Sequence, residues 1–289
     1  MYSPVVASLR CPLCHGGMSA VAAGSGAALR CASGHSFDVA KQGYVNLASP
    51  APAYPGDSAQ MVEARIRFLA AGHYRFIAQA VAGAAAALCD AGAAGLAVEA
   101  GAGTGYYLAA ILDALPGFAG LALDVSKAAL RRASRAHQRC GAALCDVWRE
   151  LPVKDGAAQI VLSIFAPRNG DEFRRILAGD SVFIVVTPTA SHLAELVGSL
   201  GLLSVDPNKD EAVATSLEDR FSRVSQQRHE SVLRLSHLEV AALVGMGPSA
   251  WHIKPEEFDA RIGALPEVVQ VTASVDVTTY GVRSSLDCQ

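Results

Sequence analysis

No stretch of eighteen or more residues in this chain is both apolar and free of turn or charge signals, so a membrane-spanning helix is not expected. The opening segment, MYSPVVASLRCPLC, lacks the long apolar run of a secretory leader, because a Cys-Pro-x-Cys turn follows too soon. A cytoplasmic protein is therefore expected. A basic excess is also missing: 24 Lys and Arg stand against 27 Asp and Glu, a net charge of −3, so bulk charge does not point to nucleic acid. There is no internal repeat, and no low-complexity tract beyond an Ala-rich stretch near residues 80–95. Disorder is excluded by composition, since 51% of the residues are hydrophobic. Seven cysteines without a leader do not read as a disulfide scaffold.

What is present is a chain of 289 residues, enough for one large domain or one large and one small. Residues 1–50 are rich in Cys, Gly and His and read as a small module. A Pro-rich hinge spans Ser49 to Asp57, and the next segment, to about residue 95, reads as one or two helices with Asp57 or Ser58 as N-cap. From Leu96 onward, short apolar runs (Leu96–Ala100, Ala119–Leu123, Gly141–Cys145, Gln159–Phe165, Ser181–Val186) alternate with helical stretches. That alternation predicts an α/β fold with a doubly wound, mainly parallel sheet. Longer strand-like runs follow near Gln226–Leu235 and Val268–Val277, with a helix around His237–Val244 between them. The expected division is 1–50, 51–95 and 96–289.

Cys11, Cys14, Cys31 and His35 form a C-x2-C…C-x3-H pattern. Zinc takes four such donors in a tetrahedron, and a module with few large apolar groups needs a metal to fold. Four closed protein ligands predict a structural ion. His15 competes for the fourth position; His35 is preferred because it pairs with Cys31 as a second knuckle. The bland alternatives are a free-thiol loop or a redox Cys-x-x-Cys. The other cysteines (Cys89, Cys140, Cys145, Cys288) read as inert thiols.

A strand, a Gly-rich turn and a helix start are legible in Ala97 to Tyr107, with Gly101, Gly103 and Gly105 at alternate positions. Such a turn alone is weak evidence, because dinucleotide enzymes use similar ones. Three acids sharpen it: Glu99 just before the turn, Asp124 at the end of the next strand, and Asp146 after the third. An acid at Asp124 suits both ribose hydroxyls, one at Asp146 suits the adenine amino group, and Glu99 would repel a pyrophosphate. This pattern predicts S-adenosylmethionine as cofactor and a class I methyltransferase. The bland reading makes the acids strand-end caps.

With those residues in hand, the chain from Cys11 to about Val277 resembles the RlmA/TlrB family, the 23S ribosomal RNA guanine-N1-methyltransferases. The resemblance lies in CPLCH, CASGHSFDVAKQGYVNL, PGDSAQMVEAR, AGHY, GAGTGYY, LDVSKAAL, IFAPR, VTPTASHLAEL and MGPSAWH. DVWRELP, FAPRN and MGPSAWH are nearer the tylosin-resistance branch. The resemblance implies adenosylmethionine contacts from Tyr74, Gly103, Thr104 and His192. It also implies a zinc module that grips a 23S rRNA hairpin, a homodimer, and methylation of a guanine 748-type site in domain II near the peptide exit tunnel, with macrolide resistance as one outcome. Ala178-Gly179-Asp180 replaces the family's Pro-Gly-Gly, and Glu99 a more usual Asp.

The turn after the fourth strand, Phe165 to Asn169, is where class I enzymes place substrate. Phe165 is a candidate to stack the base, and Arg168 to orient guanine O6 or hold a phosphate; their bland readings are a buried strand residue and a surface cation. Two cationic groups are candidates for RNA contact. One is Arg10, Arg30 and Lys41 in the module; the other is Lys127, Arg131, Arg132, Arg135 and Arg139, which read more readily as a solvated helix face. Rival functions are a small-molecule methyltransferase of an antibiotic pathway and a non-catalytic RNA-binding protein. The separate module argues against the first, and the intact Gly-rich turn with Asp124 against the second.

Overall fold

A computed structural model of the chain describes residues 1–23, 26–49, 52, 56–90, 92–202, 215, 217–247 and 255–283. The elements that position the site are α1 (Ser3–Ser8), β1 (Met18–Ala23), β2 (Gly26–Cys31), β3 (Ser36–Asp38), β4 (Tyr44–Asn46), α2 (Ala59–Ala70), α3 (Arg75–Leu88), β5 (Gly95–Ala100), α4 (Tyr106–Ala114), β6 (Phe118–Asp124), α5 (Lys127–Ala133), β7 (Cys140–Leu144), β8 (Ala158–Ile164), α6 (Gly170–Ile176), β9 (Leu177–Pro188), α7 (Ala194–Leu200), β10 (Phe221–Leu235) and β11 (Val269–Val282).

Among the described residues, eight strands form one sheet in the order β10-β11-β9-β8-β5-β6-β7-β4. The pairings from β4 to β9 are parallel, and β11 runs antiparallel to both its neighbours. The inner strands are near-continuous apolar runs because both faces are covered. Alternate residues feed two cores. Ala97, Ile160, Leu162 and Ile184 face α3 and α4, packing with Ile77, Leu108 and Leu112. Val98, Leu121, Val161 and Phe183 face the other side, packing with Phe173 and Ile176 of α6. Helix starts are capped as the sequence suggests: the Ser58 hydroxyl accepts from Met61 N–H at 3.2 Å, which decides between the two candidate N-caps of α2. Strand order reverses between β5 and β8, and ligands bind at such a switch point, beyond the carboxyl ends of the strands.

The first fifty residues do not form a separate body. The hairpin of β1 and β2, with β3, makes a small three-stranded sheet. Val5 and Leu9, however, are fully buried in the same core as Leu121, Leu123 and Val153. β4 pairs in parallel with β7, Tyr44 against Ala142 and Asn46 against Leu144, and closes that edge of the large sheet. The expected boundary at residue 50 thus falls beyond a strand of the methyltransferase sheet. Three residues carry too little alternation to announce a strand, and the partner lies far along the chain.

The expected basic face on and after α5 is only partly cationic. Arg139 turns inward and donates to the carbonyls of Leu115 and Phe118 at 2.9 and 2.7 Å, and Arg132 meets Glu63 at 3.5 Å. Most of the Pro-rich hinge, and Pro248 to His252 of MGPSAWH, lie outside the described residues. Among the described residues no helix is long and apolar enough to cross a membrane.

Candidate active site and zinc knuckle

The four expected metal ligands converge. Their donor atoms all lie within 4.8 Å of one another. The Cys11 and Cys31 sulfurs are 3.5 and 3.4 Å from His35 Nδ1, and the Cys14 and Cys31 sulfurs are 3.5 Å apart. A tetrahedron with Zn–S bonds of ~2.3 Å and Zn–N bonds of ~2.0 Å has edges of roughly 3.5–3.8 Å, so the set fits zinc. Two backbone turns build it: Cys11 N–H donates to Gly16 O, and Cys31 N–H to His35 O. The Ser33 hydroxyl and the Gly16 N–H hold the Cys14 thiol down to about 6, in favour of the thiolate a metal takes. His15, the rival fourth ligand, points away and meets Glu150 at 3.2 Å.

The Gly-rich turn leaves β5 at the switch point. Gly101 and Gly103 have φ of +69° and +53°, which a side chain resists. A Cβ on Gly101 would also lie 2.6 Å from the Ala166 Cβ, so the substrate turn packs directly on the cofactor turn. Asp124 accepts from Gly103 N–H at 2.8 Å on one oxygen and from Ser126 N–H at 2.7 Å on the other. Each oxygen keeps capacity for a further donor, as a ribose diol requires. Burial raises the Asp124 pKa, against the pull of those two N–H groups. Glu99 is 1% exposed and accepts from Leu108 N–H at 3.1 Å; burial pushes its carboxyl up to about 8. Asp146 is buried and accepts from Trp148 N–H at 3.0 Å. Thr104 is buried at the same turn. A cradle closed to Cβ atoms and lined with acids fits an adenosyl group with a cationic sulfur.

Tyr74, Phe165 and His192, widely separated in sequence, meet in space. Phe165 lies 6.3 Å from Tyr74 and 5.9 Å from His192 between ring centroids, and the Tyr74 hydroxyl is 3.3 Å from His192 Nε2. Burial holds the His192 pKa down to about 4, so the ring is neutral at pH 7 and does not repel a sulfonium. Burial also raises the pKa of Tyr74. Phe165 has φ +52° and is 41% exposed: the strained turn holds the ring out at the mouth. It is thus not the buried strand residue of the bland reading. Arg168 follows in the same turn.

Sequence reasoning did not single out Arg65. It pairs with Asp57 and donates to Met246 O at 2.9 Å, and its guanidinium lies against the Gly103 turn. Its signal was PGDSAQMVEAR, read only for resemblance. Lys41 is not brought to the pocket. Its turn precedes β4, on the amino-terminal side of the parallel strands, where Gln42 O accepts from the Ser134 hydroxyl at 2.7 Å.

Strand order, the glycine cradle with its acids, and the aromatic mouth define a class I methyltransferase that carries a zinc ribbon. Residues 9–50 match the zinc-ribbon family described as RlmA, N-terminal. The chain is 46% identical to the 23S rRNA (guanine(748)-N(1))-methyltransferase of Streptomyces fradiae, covering 96% of this chain and 98% of that protein. It is 50% identical to a Micromonospora griseorubida protein provisionally named a 23S rRNA (guanine-N(1)-)-methyltransferase, covering 97% of this chain and 99% of the other. A Bacillus subtilis protein provisionally given the same activity, YxjB, is 31% identical over 93% of this chain and 94% of its own length. The chain therefore belongs to the RlmA/TlrB family of 23S rRNA (guanine-N1)-methyltransferases.

Proposed function

We propose that the protein methylates N1 of a guanine in a 23S rRNA hairpin, at a position of the guanine 748 type, and so protects against tylosin-type macrolides. The observation that carries this is 46% identity with the Streptomyces fradiae enzyme along nearly the whole of both chains, supported by the Asp124 carboxylate holding the Gly-rich turn. It acts in the cytoplasm, as a homodimer, with one structural zinc per chain. When bound, adenosylmethionine supplies a methyl group on sulfonium for in-line displacement. Gly101, Gly103, Thr104 and Gly105 line its turn, Asp124 takes the ribose and Asp146 the adenine amino group, with Tyr74, Glu99 and His192 on the remaining side. Phe165 stacks the guanine, and Arg168 orients O6 or a phosphate. The target base is unpaired or extruded before it enters. His192, held neutral at pH 7 by burial, positions the Tyr74 hydroxyl.

The test is primer extension on 23S rRNA from a deletion strain, with and without the gene restored. N1 methylation blocks the pairing edge of guanine, so a stop should vanish on deletion and return on restoration. Identical stops in both strains would refute the assignment. Tylosin sensitivity of the same strains tests the protective role, and sedimentation equilibrium tests the homodimer.

A further inference from the structure

We propose that Trp148 and Arg149 form a stacking platform for an RNA base flanking the target guanine, at the seam between zinc knuckle and pocket. This rests on the RNA-methylation reading above. Trp148 is 56% exposed, although tryptophan is a residue that folded chains mostly bury.

The ring is not on a loose tip. The Trp148 backbone N–H donates to the Asp146 carboxylate at 3.0 Å, and Arg149 N–H donates to Asp146 O at 3.0 Å. Val147 before it and Leu151 after it are anchored in the core. The Asn169 side chain donates to the Val147 and Arg149 carbonyls at 3.1 and 3.4 Å. Arg10 and His15, flanking the first zinc ligand pair, hold Glu150. A ring carried on a backbone fixed in this way gives up less freedom when a base stacks on it than one on a mobile loop.

Those tethers also place it. Asp146 belongs to the cofactor cradle, Asn169 ends the turn that carries Phe165, and Arg10 and His15 belong to the knuckle. The loop is thereby tied to the turn that carries Phe165 and to the knuckle, the two places an RNA strand with its guanine against Phe165 would touch. Charge agrees: Arg149 is 52% exposed and only 3.8 Å from buried Asp146, while the charge of Glu150 is met by Arg10. A π-face beside a cation is the usual receptor for single-stranded nucleotides. The core of a homodimer interface is instead depleted of charge, and here both residues after the ring are charged and more than half exposed.

The test uses a hairpin RNA carrying the 748-type loop of the host 23S rRNA, with full-length protein. Hairpin affinity, adenosylmethionine affinity by calorimetry, and sedimentation are measured for the parent, W148A, W148F and R149A. W148A should weaken hairpin binding on the order of tenfold, W148F should restore most of it, and adenosylmethionine affinity should not move. R149A should flatten the slope of log affinity against log salt by about one. If the parent binds and methylates the hairpin and W148A binds it equally well, the platform is refuted and the methylation reading stands. If the parent neither binds nor methylates the hairpin, that reading falls and takes the platform with it. If W148A instead dissociates a dimer while each chain keeps its hairpin affinity, the ring faces a second copy and the proposal is overturned.

Discussion

Replacing Glu99 with glutamine should remove a large pH dependence from the stability of the protein. Glu99 is 1% exposed, and its carboxyl is pushed up to about 8 from an ordinary 4.5. Burial is the main cause; the charge of Asp124 adds to it, and the Leu108 N–H and Arg65 oppose it. Below pH 4.5 both folded and unfolded chains carry the proton. Between 4.5 and about 8 the folded chain keeps it and the unfolded chain does not, so stability falls as pH rises, by ~1.4 kcal/mol per unit. Above 8 both forms are ionised and the loss is complete, on the order of 5 kcal/mol in all. Glutamine keeps an oxygen for Leu108 N–H without the ionisation. Urea unfolding of ligand-free parent and E99Q at several values between pH 5 and 8.5 reads the difference. E99Q should gain on the parent steadily across that window. A gap that does not change with pH would refute the reasoning. A cation bound at the turn above Glu99 favours its ionised form, so adenosylmethionine should release a proton on binding near pH 7. Calorimetry in two buffers would show this for the parent and not for E99Q.

Asp124→Ala removes a carboxylate that holds the turn through Gly103 and Ser126, together worth ~1.5–3 kcal/mol. Adenosylmethionine affinity by calorimetry should fall at least tenfold, and unchanged affinity would move the cofactor elsewhere. Metal analysis should find one zinc per chain, and Cys31→Ser should lower that content. Because Val5, Leu9 and β4 belong to the large core and sheet, C31S should lower the main thermal transition and not melt residues 1–50 alone. A separate early transition beside an unchanged main one would contradict the shared core. Phe165→Gly relieves a positive φ, worth roughly 1 kcal/mol, and deletes the ring. The variant should unfold within about 1 kcal/mol of the parent, because the relieved backbone offsets the lost ring contacts with Tyr74 and His192, yet be nearly inactive in single-turnover methylation, and full activity would refute base stacking.

The sheet from β5 to β9 was legible because buried parallel strands are unbroken apolar runs bounded by turns, and those runs recur at βα spacing. The metal ligands were legible because their spacing is local. The meeting of Tyr74, Phe165 and His192 was not: each belongs to a different element, and only the fold closes the triangle. Resemblance named Tyr74 and His192, but nothing in the residues showed that their side chains touch. Arg65 escaped because a single cation on an amphipathic helix looks like any solvated one. Arg139 misled for the converse reason, since helical spacing cannot show a guanidinium turned onto carbonyls. Trp148 was visible as a residue, but its exposure was not.

The short strand at Tyr44–Asn46 also sets an order of assembly. Its pairing partner, Cys140–Leu144, is synthesised almost a hundred residues later. Closing so long a loop is slow, whereas the two knuckles close over a few residues. During synthesis the ribbon can take its metal while the sheet edge it will cover does not yet exist. The knuckle then waits, tethered and undocked, until β7 and the loop after it emerge. Only at that point do Arg10 and Glu150 meet, and the first segment made becomes among the last to be locked in place.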